Sequence, residues 1–322
     1  MDKDKIIIKF WGVRGSIPTP LESSDIYNKL MKTLILAQEV ELDNEEKINN
    51  FLNNLPFSIK GNYGGNTPCV SIEVNDFLLI FDFGSGIRKL GYEIMNNKKF
   101  QNGGEIHLFI SHTHWDHIQG LPFFPPLYDK KFKLIFYSPF PDIKERLEFQ
   151  QKFEFFPVNF FDTPSQKEFI ILEKDKIINF NSNLKVSHHS LIHPGGSFGY
   201  KVSFNNKSVV YATDTEFYKI DAKFIDEITK IWNNIDVLIF DAQYTPEEYI
   251  YKINWGHSST FLAVDVALSI NAKKLVLFHY DPVYDDYFIE NSLKRANEYL
   301  NFVASNSKLE VIASYEGLSI EI

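Results

Sequence analysis

The most reactive-looking stretch of this chain is Ser111-His112-Thr113-His114-Trp115-Asp116-His117, where three histidines and one aspartate fall within six residues. Imidazole and carboxylate are the donors zinc prefers, and iron and manganese accept them too. An apolar run over 106–110 leads straight into them. A loop leaving a buried strand can turn such side chains toward one point. A regular strand or helix could not do so for all four. The segment therefore reads as a metal site rather than a surface loop that happens to be rich in histidine.

The elements that must position this loop follow from the apolar pattern. Short runs rich in Ile, Val and Phe predict strands over 5–11, 69–74, 77–83, 105–110 and 133–137. A second series covers 184–186, 198–204, 208–212, 237–241, 274–278 and 309–313. Several of these are continuously apolar, as expected of strands covered on both faces. Helical periodicity predicts helices over 25–40, 44–55, 85–95, 141–153, 221–232, 258–270 and 285–300. Strands alternating with helices point to a layered α/β protein. With no internal repeat and no Pro- or Gly-rich linker, one domain over 1–322 is expected, carrying a helical insertion at 19–60.

His193 follows a strand and precedes Gly195-Gly196; Asp214 ends Val209-Val210-Tyr211-Ala212-Thr213; His279 ends Leu275-Val276-Leu277-Phe278. Singly, each has an ordinary explanation: a structural or surface histidine, or a helix N-cap in the case of Asp214. Together they lie at strand C-termini, where loops can converge.

The pattern His112-x-His114-x-Asp116-His117 resembles the signature of the metallo-β-lactamase superfamily, and the resemblance covers most of the chain. Phe10-Trp11-Gly12-Val13-Arg14-Gly15-Ser16-Ile17-Pro18 and Tyr63-Gly64-Gly65-Asn66-Thr67-Pro68-Cys69 are similar to the opening of one bacterial branch. That branch lies near the tRNA 3′-processing nucleases and the cyclic-nucleotide phosphodiesterases. Gly120-Leu121-Pro122-Phe123-Phe124, Phe156-Pro157-Val158, residues 193–200 and Trp255-Gly256-His257-Ser258-Ser259 fit it as well. The resemblance implies a four-layer αββα sandwich and two adjacent cations. His112, His114 and His193 would hold one, Asp116, His117 and His279 the other, and Asp214 would bridge them. Zinc is the expected metal, with manganese or iron as alternatives. Two such cations lower the pKa of a shared water, so that a bridging hydroxide exists at neutral pH, and Asp116 would orient it. His257, which opens a helix, would supply the leaving-group proton, with Asp241 holding it protonated. Asp82 is implied as a support of the metal loop.

Other residues divide between the site and the fold. Arg14 suits either a substrate phosphate or a buried ion pair. Asn66 and Thr67 suit either the pocket or a turn. His188 and His189 are read as strand-end or solvent-facing, His107 as structural, and Cys69 as a small buried residue. Phe123, Phe124, Phe153, Phe155, Phe156, Phe160 and Phe161 divide between core packing and a substrate or subunit wall.

With 33 basic and 42 acidic side chains, the net charge is −9. Gripping long nucleic acid needs a positive surface, so a small phosphodiester is the expected substrate. A cyclic nucleotide or dinucleotide is the leading reading. A tRNA 3′-processing endoribonuclease is the alternative, disfavoured because no Gly- and basic-rich arm is found. A diiron oxygen or redox sensor is a third reading, disfavoured because such proteins tend to have Glu where this chain has His114. Thioester, lactone and β-lactam hydrolysis use the same ligands, and only His257 and the branch resemblance speak against them. The single cysteine excludes an internal disulfide and suits a reducing compartment. Met1-Asp2-Lys3-Asp4-Lys5 runs into Ile6-Ile7-Ile8 with neither apolar core nor cleavage site, so no signal peptide is expected. No run is long enough to span a bilayer. A cytoplasmic protein is expected, and a homodimer, common in that branch, is left open.

Overall fold

Strand alternation sets the layers. In β3 (Phe77–Phe81) Leu79 and Phe81 face one core while Leu78 and Ile80 face another, as a period of two requires. The computed structural model describes residues 5–216 and 222–322. Residues 1–4, and Asp221 at the start of the predicted 221–232 helix, lie outside the described residues.

The first sheet holds β1 (Ile6–Gly12), β2 (Cys69–Val74), β3, β4 (Gly104–Phe109), β5 (Phe132–Ser138), β6 (Gln166–Ile171) and β14 (Ser319–Glu321), ordered β14-β1-β2-β3-β4-β5-β6. The second holds β7 (Ile178–Asn179), β8 (Leu184–Leu191), β9 (Ser197–Phe204), β10 (Lys207–Ala212), β11 (Val237–Asp241), β12 (Lys274–Phe278) and β13 (Glu310–Ala313), ordered β13-β12-β11-β10-β9-β8-β7. Strands β3 to β6 run parallel, as do β10 to β13.

One core lies between the sheets and continues under α7 (Ala222–Ile231), α9 (Thr260–Ser269) and α10 (Asp286–Val303). The other lies between the first sheet and α4 (Ile87–Asn96) and α6 (Ile143–Gln150). The result is the αββα order. Two one-turn helices, α5 (Trp115–Ile118) and α8 (Pro246–Tyr249), sit in loops.

The insertion forms α1 (Ser23–Ala37), α2 (Glu45–Asn54) and α3 (Phe57–Lys60). It is fastened where Lys29 Nζ meets Asp286 Oδ2 at 2.6 Å and Phe57 packs on Tyr63 and Tyr315.

Among the described residues, three strands lie outside the predicted set. β6 is a half-exposed edge that opens on the polar Gln166-Lys167-Glu168 before its Phe169-Ile170-Ile171 run, while β7 and β14 are two and three residues long. β8 continues to Leu191, beyond the predicted end at Val186, because β9 pairs with it along its whole length. No helix of the described residues is long and apolar enough to cross a membrane.

Candidate metal centre

Parallel β-strands deliver their C-terminal ends to one edge, where ligands bind in open α/β sheets. Asp82 follows β3, Ser111 and His112 follow β4, Asp214 follows β10, Asp241 closes β11, and His279 follows β12. Three of these residues carry left-handed backbone: Asp82 at φ 58°, Asp214 at φ 55° and His279 at φ 67°. Residues with a Cβ adopt that region reluctantly, and such strain gathers at functional sites. The surroundings hold it here: Asp82 N donates to Phe109 O at 2.9 Å and His279 N to Val13 O at 3.0 Å. One turn of α5 then swings Asp116 and His117 back toward the same point.

The side chains meet in two sets around Asp214. Its Oδ2 lies 3.6 Å from His112 Nε2 and 3.8 Å from His193 Nε2, and His193 Nε2 is 3.0 Å from His114 Nδ1. Its Oδ1 lies 3.2 Å from both His117 Nε2 and His279 Nε2. Asp116 Oδ2 closes that set, 3.3 Å from His117 Nε2 and 3.2 Å from His279 Nε2. Within each of the sets His112, His114, His193, Asp214 and Asp116, His117, His279, the potential ligand atoms all lie within 4.8 Å of one another.

The outer nitrogens reveal where the protons are. His193 Nδ1 faces Gly256 O at 2.8 Å, His117 Nδ1 faces Asp82 Oδ2 at 2.8 Å, and His279 Nδ1 faces Gln243 Oε1 at 3.1 Å. All three partners are acceptors, so each Nδ1 carries the hydrogen. Ser111 Oγ donates its one hydrogen to Asp82 Oδ2 at 2.7 Å, so it accepts from His112 Nδ1 at 3.1 Å. Four Nε2 lone pairs and two carboxylates are thereby aimed at one buried space. His112 Nε2 is buried with no hydrogen-bond partner. Acceptors crowded together without donors are costly unless a cation sits among them. The donor set therefore fits divalent metal.

The pKa directions reflect the same crowding. Burial opposes a charged His117, but Asp214, Asp116 and Asp82 outweigh it and raise this imidazole well above its ordinary range. Asp116 and Asp214 are held well below the carboxylate range, because His117 and its neighbours outweigh their burial. Burial lowers His112, His114 and His193.

His257 stands beside this cage, its ring 5.0 Å from that of His279. Its Nδ1 donates to Asp241 Oδ2 at 2.8 Å. Asp241 also accepts from Thr215 N at 3.2 Å, Gln243 N at 3.1 Å and Ser258 N at 3.3 Å. Burial disfavours charge on His257, yet Asp241, Asp214 and Asp116 raise its pKa above the ordinary value. Ser259 caps α9 through Leu262 N, which leaves His257 in the loop ahead of the helix. The turn leading to it needs glycine: Gly256 has φ +85°, and a Cβ there would stand 2.2 Å from His193 Nδ1.

The remaining candidates resolve into structure. Arg14 is buried and donates to the carbonyls of Gly64, Asp281 and Tyr284, which anchors two loops. Asn66 pairs with Glu316, and Thr67 with Ser85 and Gln119. His107 contacts Tyr137 OH inside the core. His188 and His189 sit half-buried on β8, away from the cage. Cys69, Phe124 and Phe160 are core; Phe123, Phe153, Phe155 and Phe161 are exposed, and Phe156 is half-buried against Phe123.

Four supports went unread in the sequence. Gln243 fixes His279, Ser111 fixes His112, and Tyr211 OH braces Asp82 at 2.8 Å. Buried Glu216 accepts from Asn254 N at 2.7 Å and Gly256 N at 2.8 Å, holding the His257 turn. Gln243, two residues after Asp241, and Ser111, directly after the 106–110 run, left a local signal: a polar side chain at a strand end.

Residues 101–280 match the family described as Beta-lactamase superfamily domain. The Ribonuclease Z of Sulfurisphaera tokodaii is 27% identical over 269 residues, spanning 69% of this chain and 84% of that protein. The Ribonuclease Z of Picrophilus torridus is 25% identical over 276 residues, spanning 69% of this chain and 82% of that protein. Among solved structures, the metallo-beta-lactamase fold protein YhfI from Bacillus subtilis aligns with a TM-score of 0.62 at 17% identity, covering 99% of this chain and 100% of the other. Unliganded yeast PDE1 aligns with a TM-score of 0.64 at 12% identity, covering 99% of this chain and 100% of the other. These two likenesses show the fold.

Proposed function

This chain belongs to the beta-lactamase superfamily and is a metal-dependent hydrolase of that fold, and from that premise we propose a binuclear phosphodiesterase that cuts RNA in the manner of a tRNA 3′-processing endoribonuclease. Net charge and the want of a basic arm in the sequence favour a small cyclic substrate, whereas the relatives at 27% and 25% identity bear the name Ribonuclease Z and favour RNA. The observation that carries the hydrolytic reading is the division of Asp214, with one oxygen toward each set of histidines.

In this reading His112, His114 and His193 hold one cation, Asp116, His117 and His279 the other, and Asp214 both. Zinc is proposed, with manganese or iron as alternatives. When bound, the pair supplies Lewis acidity that activates water and offsets charge developing on phosphoryl oxygens. Asp116 Oδ2, fixed by Ser16 N at 2.8 Å, aligns the attacking side. His257 Nε2 holds the proton that passes to the leaving oxygen as the P–O bond breaks, while Asp241 keeps the ring oriented and charged. The proposed catalytic unit is the whole of 1–322, because β1 pairs with both β2 and β14 and the centre draws on residues from Ser16 to His279. A cytoplasmic setting and a homodimer belong to the same proposal.

A second reading keeps the small phosphodiester, and the net charge of −9 favours it. Zinc- or manganese-loaded protein incubated with a precursor tRNA carrying a 3′ trailer, and separately with cyclic AMP, separates the two. A single cut at the trailer junction supports the first reading. Turnover of cyclic AMP alone overturns it in favour of the second.

A further inference from the structure

Beside the cage lies a cleft of about 380 Å³ that no part of the hydrolytic machinery uses. Its size is within the range of small-molecule sites. One wall is Trp115, which stands between His114 and Asp116 and is 68% exposed. Phe149 and Phe155 face it, 55% and 58% exposed, with ring centroids 5.7 Å apart. Large aromatic side chains left in water around one cavity mark a binding site, and their flat faces suit a planar partner that can stack. Gln150 also lines it, and its amide nitrogen donates to Ile118 O at 2.8 Å, which ties α6 to α5 beneath the aromatic rings.

The cleft is tied to the cage. Arg146 Nη1 donates to Thr113 Oγ1 at 3.0 Å, joining α6 to the loop between His112 and His114. The same guanidinium lies 4.4 Å from the Phe140 ring centroid and pairs with Asp142 at 3.0 Å. Trp115 itself stands between His114 and Asp116 in that loop, so a group seated on it lies next to the cage.

We propose that this cleft is a nucleobase subsite, in which the base of the nucleotide beside the scissile phosphate stacks on Trp115. The inference rests on the phosphodiesterase reading and deepens it, since it makes a nucleotide, rather than a bare diester, the recognised unit. Stacking tolerates any base face.

Titration calorimetry of the zinc-loaded protein with adenosine 5′-monophosphate and with ribose 5-phosphate isolates the base, because both carry the same phosphate and sugar. The expected Kd for the nucleotide is lower by about fivefold or more. Trp115→Ala and Phe155→Ala should each bring the two constants together. Metal-free protein should still bind adenosine, as the cleft lies outside the cage. Equal constants in the unsubstituted protein overturn the subsite, as does a ratio left intact by both aromatic substitutions. Turnover of bis(p-nitrophenyl) phosphate by the same preparations tests the underlying reading. Turnover without a base preference removes the subsite alone. No turnover with zinc, manganese or iron removes the hydrolytic reading and the substrate assigned to the cleft.

Discussion

The Asp214 cage and the helical insertion handle their side chains in opposite ways. In the cage nearly every polar atom is buried and assigned to a neighbour: Asp82 alone serves Ser111, His117 and Tyr211. In α1 and α2 no residue is buried, and Tyr27, Leu30 and Leu34 are 62%, 59% and 65% exposed. The difference separates two kinds of constraint. A cage of buried acceptors on left-handed backbone is unfavourable for folding and persists because its neighbours fix it. The insertion is held by few contacts, chiefly around Lys29 and Phe57. Substitutions should therefore be felt as function at the cage and scarcely at all along the outer face of α1.

The largest expected effect is at the shared carboxylate. Asp214→Ala should lower kcat/KM on a phosphodiester by roughly a thousandfold or more, measured with bis(p-nitrophenyl) phosphate. Next comes His257→Ala, expected to cost on the order of a hundredfold with an RNA leaving group. The loss should be smaller with p-nitrophenolate, which leaves without a proton; equal losses for both would break the assignment of His257.

A buried histidine outside the cage sharpens the contrast. Burial, against the weaker pull of Glu105, lowers the His107 pKa to about 4 from 6.5. With the folded value depressed, the unfolded chain binds the extra proton between these values. Stability is thus full above pH 6.5 and falls as pH drops toward 4, by up to about 3 kcal/mol. His107→Leu should flatten that slope in urea titrations; an unchanged slope would contradict it. The smallest effect is expected on α1, where Leu34→Lys should shift stability by less than about 0.5 kcal/mol. A larger loss in the urea midpoint would mean that the insertion is fastened more widely than its contacts indicate.

Much of this architecture was legible from periodicity. Residues 237–240 and 275–278 are continuous apolar runs because helices and the opposite sheet cover both faces. β7 and β14 were illegible because an edge strand of two or three residues owes its conformation to a neighbour's hydrogen bonds, and in β6 the polar Gln166-Lys167-Glu168 masks the Phe169-Ile170-Ile171 run. The 141–153 helix ends at Gln150, where the backbone turns into the aromatic cleft. At the centre, His112, His114, Asp116 and His117 announce themselves by spacing. His193, Asp214 and His279 needed a family resemblance to be grouped, and the structure brings all seven side chains together. Gln243 and Glu216 escaped notice because each accepts a hydrogen bond from a residue distant in sequence or from a backbone amide, and Ser111 because its orientation is set by distant Asp82. Arg14 could have met a phosphate; its guanidinium is spent on three carbonyls.

Metal content of purified protein after zinc loading and exhaustive dialysis tests the cage most directly. About two equivalents per chain are expected, falling to about one or fewer in Asp214→Ala, because one carboxylate serves both positions. Unsubstituted protein that retained no zinc, manganese or iron, or an Asp214→Ala variant that kept both equivalents, would contradict the reading of these buried acceptors as a place for two cations.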